Sequence, residues 1–148
     1  MEFAILLPVF LLLLFGVIDF GHAWYMDHVL SNASREGARY GTRYVTDIHN
    51  RRLLPQNLTP TISNYLINDA AENGGSGGWD LASALPADAN PQVSVSGPGF
   101  TTTDPSTLAG KDITVRVMAR KTWFVVGRLL PWLGDYKDLA VETTMKCE

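Results

Sequence analysis

Cysteine, histidine and any excess of positive charge are what this chain lacks. Its 148 residues hold one cysteine, Cys147, which excludes an internal disulfide framework and a cysteine-built zinc site. The three histidines, His22, His28 and His49, are too few for a histidine-rich metal centre. Lys and Arg number 12 against 15 Asp and Glu, so the basic stripe of a nucleic-acid binder is missing. No Ser-His-Asp or Cys-His set can be assembled, and no acidic calcium loop is present. The Gly-rich stretch Asn73–Gly78 has no strand before it and no Lys-Ser/Thr after it, which excludes a phosphate loop. No residue is put forward as catalytic, metal-ligating or cofactor-binding, and no cofactor is expected. The sequons at Asn32 and Asn57 are short enough to arise by chance.

What is there is an uneven distribution of apolar residues. From Phe3 to Ile18, sixteen residues carry no polar side chain; fourteen are hydrophobic and the others are Pro8 and Gly16. Mean hydropathy over the whole chain is only +0.03, so the remainder is polar. At 1.5 Å per residue the run reaches about 24 Å, short of a hydrocarbon core of ~30 Å. Phe20 and Ala23–Met26 prolong it, and Trp24 and Tyr25 suit a headgroup region.

Three readings of this run are open. A cleavable secretory signal needs a basic start, where Glu2 supplies an acid. A plain single-pass anchor leaves that carboxylate unexplained, and the nearest basic residue, Arg35, is too distant to orient it. A pilin-type helix is a membrane segment before assembly and a filament core afterwards. It gives Glu2 a role, because a carboxylate at a hydrocarbon edge is costly unless paired, and a neighbouring subunit's amine can pair it. It also accommodates Pro8, whose freed carbonyl neighbouring helices can satisfy.

Residues 19–47 contain no proline and continue the helix, giving one element over about 2–47 and roughly 65–70 Å. Ala33, Gly37 and Gly41 recur every four residues with Ala38 beside them, a small-residue stripe that lets another backbone approach. The two glycines could alternatively mark local breaks. Arg35, Arg39 and Arg43 form a second row, with Glu36 and Asp47 spaced to pair. This row reads either as a solvated face or as inter-subunit ion pairs, with lipid or phosphate contact a further reading. Asp19 and His22 lie one turn apart and read as local polar compensation at the membrane edge.

The string Glu2-Phe3-Ala4 through Leu7-Pro8, then Asp19-Phe20-Gly21, then Arg35-Glu36-Gly37-Ala38-Arg39-Tyr40-Gly41, resembles the TadE-like pseudopilins of the tight-adherence (Tad) pilus system. The last ten residues, Leu139–Glu148, resemble that family's final strand; residues 49–110 carry no matching motif. The resemblance implies a bitopic inner-membrane protein that a prepilin peptidase matures and an assembly ATPase drives into an extracellular filament. In the family the glutamate stands at the fifth mature position after a short basic leader. Here it is residue 2, so either the chain begins inside a longer precursor or its maturation differs, and the peptidase site is unassigned.

The remaining residues, 49–148, read as a small α+β head. Residues 50–59 form a linker. A helix is expected from Thr59 (N-cap) and Pro60 to about Asn73, with Ile62, Tyr65, Leu66 and Ala70 on one face. Residues 79–91 read as irregular, with Trp79 and Leu81 dipping into the core. Three strands are expected at Gln92–Ser96, Asp112–Lys121 and Leu139–Cys147, each alternating with one apolar face. Ile113, Val115, Val117 and Ala119 face in, and the second half of the long helix is the natural cover. The apolar stretch Trp123–Leu133 is either a crossover packed on the head or an exposed partner patch. Cys147 reads as a small buried hydrophobe or as half of an intermolecular disulfide.

The expected class is therefore α+β and pilin-like: a long, partly transmembrane N-terminal helix packed on a small antiparallel sheet. Residues 1–26 form the membrane or filament-core segment, 27–48 the continuation under the head, and 49–148 the extracytoplasmic head. The expected role is that of a non-enzymatic filament subunit, in the inner membrane before assembly and on the cell surface after it. Expected partners are copies of itself or other pilins through the helix, the inner membrane, the peptidase and the assembly machinery, with no nucleic acid. Glu2, Pro8, Asp19, Ala33, Gly37 and Gly41 are the assembly and packing candidates. Alternatives are a minor pseudopilin that primes or tips the pilus and adheres through 96–107 or 123–133, and a plain anchored protein.

Overall fold

The computed structural model describes residues 2–67, 79–125, 127 and 134–148. Its dominant element is helix α1, Glu2–Thr42, 41 residues and about 60 Å long, with Pro8 inside it. The helix ends five residues before the expected position. Beyond Arg43 the backbone turns back on itself: Asp47 Oδ1 accepts the His49 and Arg51 amides, each at 2.8 Å, and the Leu53 amide donates to Val45 O at 2.7 Å. Side-chain capture of backbone N–H groups by Asp competes with helix and builds a turn instead.

A three-stranded antiparallel sheet lies against the second half of α1, in the order β1-β2-β3. The strands are β1, Gln92–Ser96, β2, Asp112–Thr122, and β3, Tyr136–Lys146. The expected alternation holds: Ile113, Val115, Val117 and Ala119 are buried, while Val93, Val95, Leu139, Val141 and Met145 pack at the margin of the core. Burying a Val or Ile side chain is worth about 1.5–3 kcal/mol, so the central strand β2 anchors the head. The other sheet face is polar, with Thr114 and Thr144 hydroxyls 2.8 Å apart and Arg120 paired to Asp138 at 3.3 Å.

The segment between α1 and the sheet closes the core's other end. Leu54, Leu58, Ile62, Tyr65 and Leu66 are buried. Helix α2, Ile62–Ile67, starts two residues later than expected, because Thr61 Oγ1, not Thr59, accepts the Asn64 amide at 3.3 Å. Its expected end near Asn73 and the Gly-rich stretch lie outside the described residues. In the stretch read as irregular, Leu81–Ala84 forms one helical turn, α3, because Asp80 Oδ1 caps the Ser83 amide at 3.0 Å. Leu81 is fully buried and Trp79 packs on the core. The connection from β1 to β2 holds a second single turn, α4, Pro98–Thr101.

Candidate functional site

Helix α1 has two unlike halves. From Phe3 to Ile18 the described side chains are exposed on every side, among them Phe3, Leu6, Val9, Phe10, Leu13 and Val17. Nothing in the fold covers this apolar cylinder among the described residues. From Asp19 onward one stripe is buried: Asp19, Met26, Val29, Leu30, Ala33, Ser34, Gly37, Ala38, Gly41 and Thr42. The spacing of three and four residues is that of a helix face turned to a core. The helix is long and apolar enough to cross a membrane.

The small-residue stripe receives the chain's own head. A Cβ on Gly37 would lie 2.6 Å from Leu66 Cδ1 and 3.2 Å from Val115 Cγ1; one on Gly41 would lie 2.7 Å from Ile62 Cδ1. Ala33 is fully buried in the same groove. Ser34, also fully buried, donates from Oγ to Val115 O at 3.0 Å and ties α1 to the central strand. Tyr40 stacks on Tyr65 with ring centroids 4.0 Å apart, and Tyr65 donates to Glu36 Oε1 at 3.3 Å.

The arginine row stands apart from these contacts. Arg35, Arg39 and Arg43 are exposed, and none has an ion-pair partner within 4.0 Å among the described residues. The two acids spaced to pair with them are engaged elsewhere. Glu36 accepts from Tyr65, and Asp47 pairs with Arg51 at 3.3 Å. The Arg51 amide, the largest influence, holds the Asp47 carboxyl below its ordinary pKa.

Asp19 is the polar centre of the site. It is fully buried, and its carboxylate accepts the Phe124 amide at 3.0 Å and the Val125 amide at 3.1 Å. Lys121 Nζ lies 3.6 Å from Asp19 Oδ1, with side-chain exposures of 1% and 0% for the pair. Lys121 also donates to Thr122 O and sits 4.5 Å from the Phe124 ring centroid. This clasp fastens the end of β2 to the first covered turn of α1. His22 contributes no hydrogen bond from Nδ1 among the described residues; its ring instead contacts Phe124 at 5.3 Å.

Sequence reasoning located Asp19 but missed Lys121. The signal was its parity: Lys121 continues the inward-facing set Ile113, Val115, Val117, Ala119, and a lysine there requires a buried anion. Trp123 and Phe124 pack on α1, with Trp123 6.1 Å from Phe20. Most of the remaining stretch to Leu133 lies outside the described residues. Glu2 begins α1. No cluster of three or more His, Cys, Asp or Glu could hold a metal among the described residues.

A helix bare in its first half and roofed by a small antiparallel sheet in its second is an α+β, pilin-like architecture. Residues 1–39 match the family model described as TadE-like protein, so the N-terminal quarter of the chain is similar to that family. No curated protein and no solved structure matches the chain.

Proposed function

We propose that this protein is a structural subunit that inserts in the inner membrane through residues 3–18 of α1, holds its head outside the cytoplasm, and is then assembled into the Tad filament. The observation that carries this reading is the bare apolar half of α1. Sixteen consecutive residues without a polar side chain are stable only against lipid or against other helices. Lipid serves before assembly and neighbouring copies serve after it. Processing by a prepilin peptidase and extraction by the pilus machinery belong to the same proposal, which the TadE-like match over residues 1–39 supports.

In this reading Glu2 sets the axial register by pairing with a neighbour's amine, and Pro8 is tolerated because packed neighbours supply the lost contact. Arg35, Arg39 and Arg43, exposed and free of partners among the described residues, are the groups available to acids on adjacent subunits. Ala33, Gly37 and Gly41 act one step earlier, by seating the head so that the first half of the helix is left clear.

The test is intact mass spectrometry on sheared extracellular filaments, with the native chain and with Glu2→Ala. A dominant native species in the filaments, and a variant retained in the inner membrane, are the expected results. Native chain only in trace amounts would favour a minor priming or tip subunit. Native chain confined to the membrane would make it an anchor. Abundant filaments of the variant would refute the register role of Glu2.

A further inference from the structure

The buried clasp fixes the head's depth relative to the apolar run. Asp19 directly follows Ile18, the last residue of a run that reaches about 24 Å, while a hydrocarbon core measures ~30 Å. If the run starts at one hydrocarbon boundary, Asp19 falls at or inside the other. The Phe124 and Val125 amides are bonded to the Asp19 carboxylate, so this turn of the head must lie at the same depth.

The surface around the clasp suits that depth. Phe20 is 65%, Trp24 71% and Phe124 59% exposed, and Trp123 lies against Phe20. Residues 122–125 carry no charge, and the nearest cation, Lys121, points inward to its partner. Along α1 from Phe3 to Trp24 the only charged residue among the described side chains is the buried Asp19, and beside the turn the exposed Asp88 carboxylate accepts from Thr122 Oγ1. Aromatic side chains with this placement are favoured where hydrocarbon meets headgroups.

We propose that the turn Trp123–Val125 is a foot by which the head touches the outer interface of the lipid bilayer. It shields the Asp19–Lys121 pair from hydrocarbon and, with Phe20 and Trp24, completes an aromatic collar that sets how deeply α1 sits before extraction. The partner is the phospholipid interface itself. This rests on the reading of α1 as a membrane-spanning segment.

The test uses the full chain in phosphatidylethanolamine–phosphatidylglycerol vesicles, in a Cys147→Ala background checked for folding by circular dichroism. Single cysteines replace Phe124, Leu13 and Thr103, each carrying an environment-sensitive fluorophore. Leu13 is an exposed residue of the apolar run. Thr103 is exposed beside the Asp104–Ser106 turn, which lines an open cleft with Tyr44 and Arg51 at the far end of the helix. The quencher is phosphatidylcholine with a nitroxide near the headgroup end of its acyl chain. Labels at 124 and 13 should be quenched about twofold or more, and the label at 103 left bright. Quenching at 13 with a bright label at 124 would overturn the foot while the span stands. A label at 124 that is blue-shifted yet unquenched would mean that protein covers the turn, and would also overturn it. No quenching at 13 would overturn the span and the foot together.

Discussion

Replacing Lys121 by Met removes the cation of the clasp and leaves the Asp19 carboxylate buried with the Phe124 and Val125 amides still bonded to it. Both partners are withdrawn from water, at 1% and 0% side-chain exposure, so solvent screening offers no relief. Breaking a buried pair from one side costs about 3–5 kcal/mol. The two amide bonds that remain place Lys121→Met at the lower end, about 3 kcal/mol. That is a large share of the roughly 5–15 kcal/mol that holds a small domain folded. With a urea slope of about 1.5 kcal/mol/M, the midpoint of the detergent-solubilised full chain should fall by about 2 M, read by tryptophan fluorescence. The double variant Asp19→Asn, Lys121→Met removes both charges, keeps an acceptor for the amides, and should recover all but about 1 kcal/mol. A single-variant loss below about 0.5 kcal/mol, with additive effects in the double variant, is the behaviour of an exposed pair and would refute a buried clasp.

Gly37→Val should destabilise the head by about 1–3 kcal/mol in a thermal melt, because the new side chain overlaps Leu66 and Val115. Gly21→Ala meets nothing within 4 Å and should be neutral or gain up to about 1 kcal/mol from helix propensity. The carboxyls of Asp47, Asp80 and Asp104 are held below their ordinary values, chiefly by hydrogen bonds from the Arg51 amide and the Ser83 and Ser106 side chains respectively. Depressed carboxylates stabilise the fold above their unfolded pKa, so a urea midpoint series should fall as pH drops through and below about 4 and stay flat above about 6 on their account. Burial pushes the Cys147 thiol up, so its reaction with a disulfide reagent near pH 8 should be slow when folded and fast in denaturant; equal rates would contradict its burial.

The periodicities in the chain carried most of the head. Alternation in Gln92–Ser96, Asp112–Lys121 and Leu139–Cys147 located the three strands and their inner faces, because a half-buried strand repeats every two residues. The end of α1 was less legible. Its formers run past Thr42, and only the Asp47 turn and the Val45–Leu53 bond show why the helix stops. The cap at Thr61 in place of Thr59 is a difference of the same kind, decided by which hydroxyl reaches an amide.

By itself the sequence determined the apolar run of α1 and the small-residue stripe, because composition and helical spacing are properties of neighbouring residues, and its local motifs carried the resemblance to TadE-like proteins over residues 1–39. Only the tertiary structure decided what fills the stripe, that within the chain Glu36 meets Tyr65 and Asp47 meets Arg51, and that Asp19 is joined to Lys121 more than a hundred positions away. Each of these depends on which distant groups the fold brings within a few ångströms. A carboxylate reads the same in sequence whether it faces water, lipid or a buried lysine.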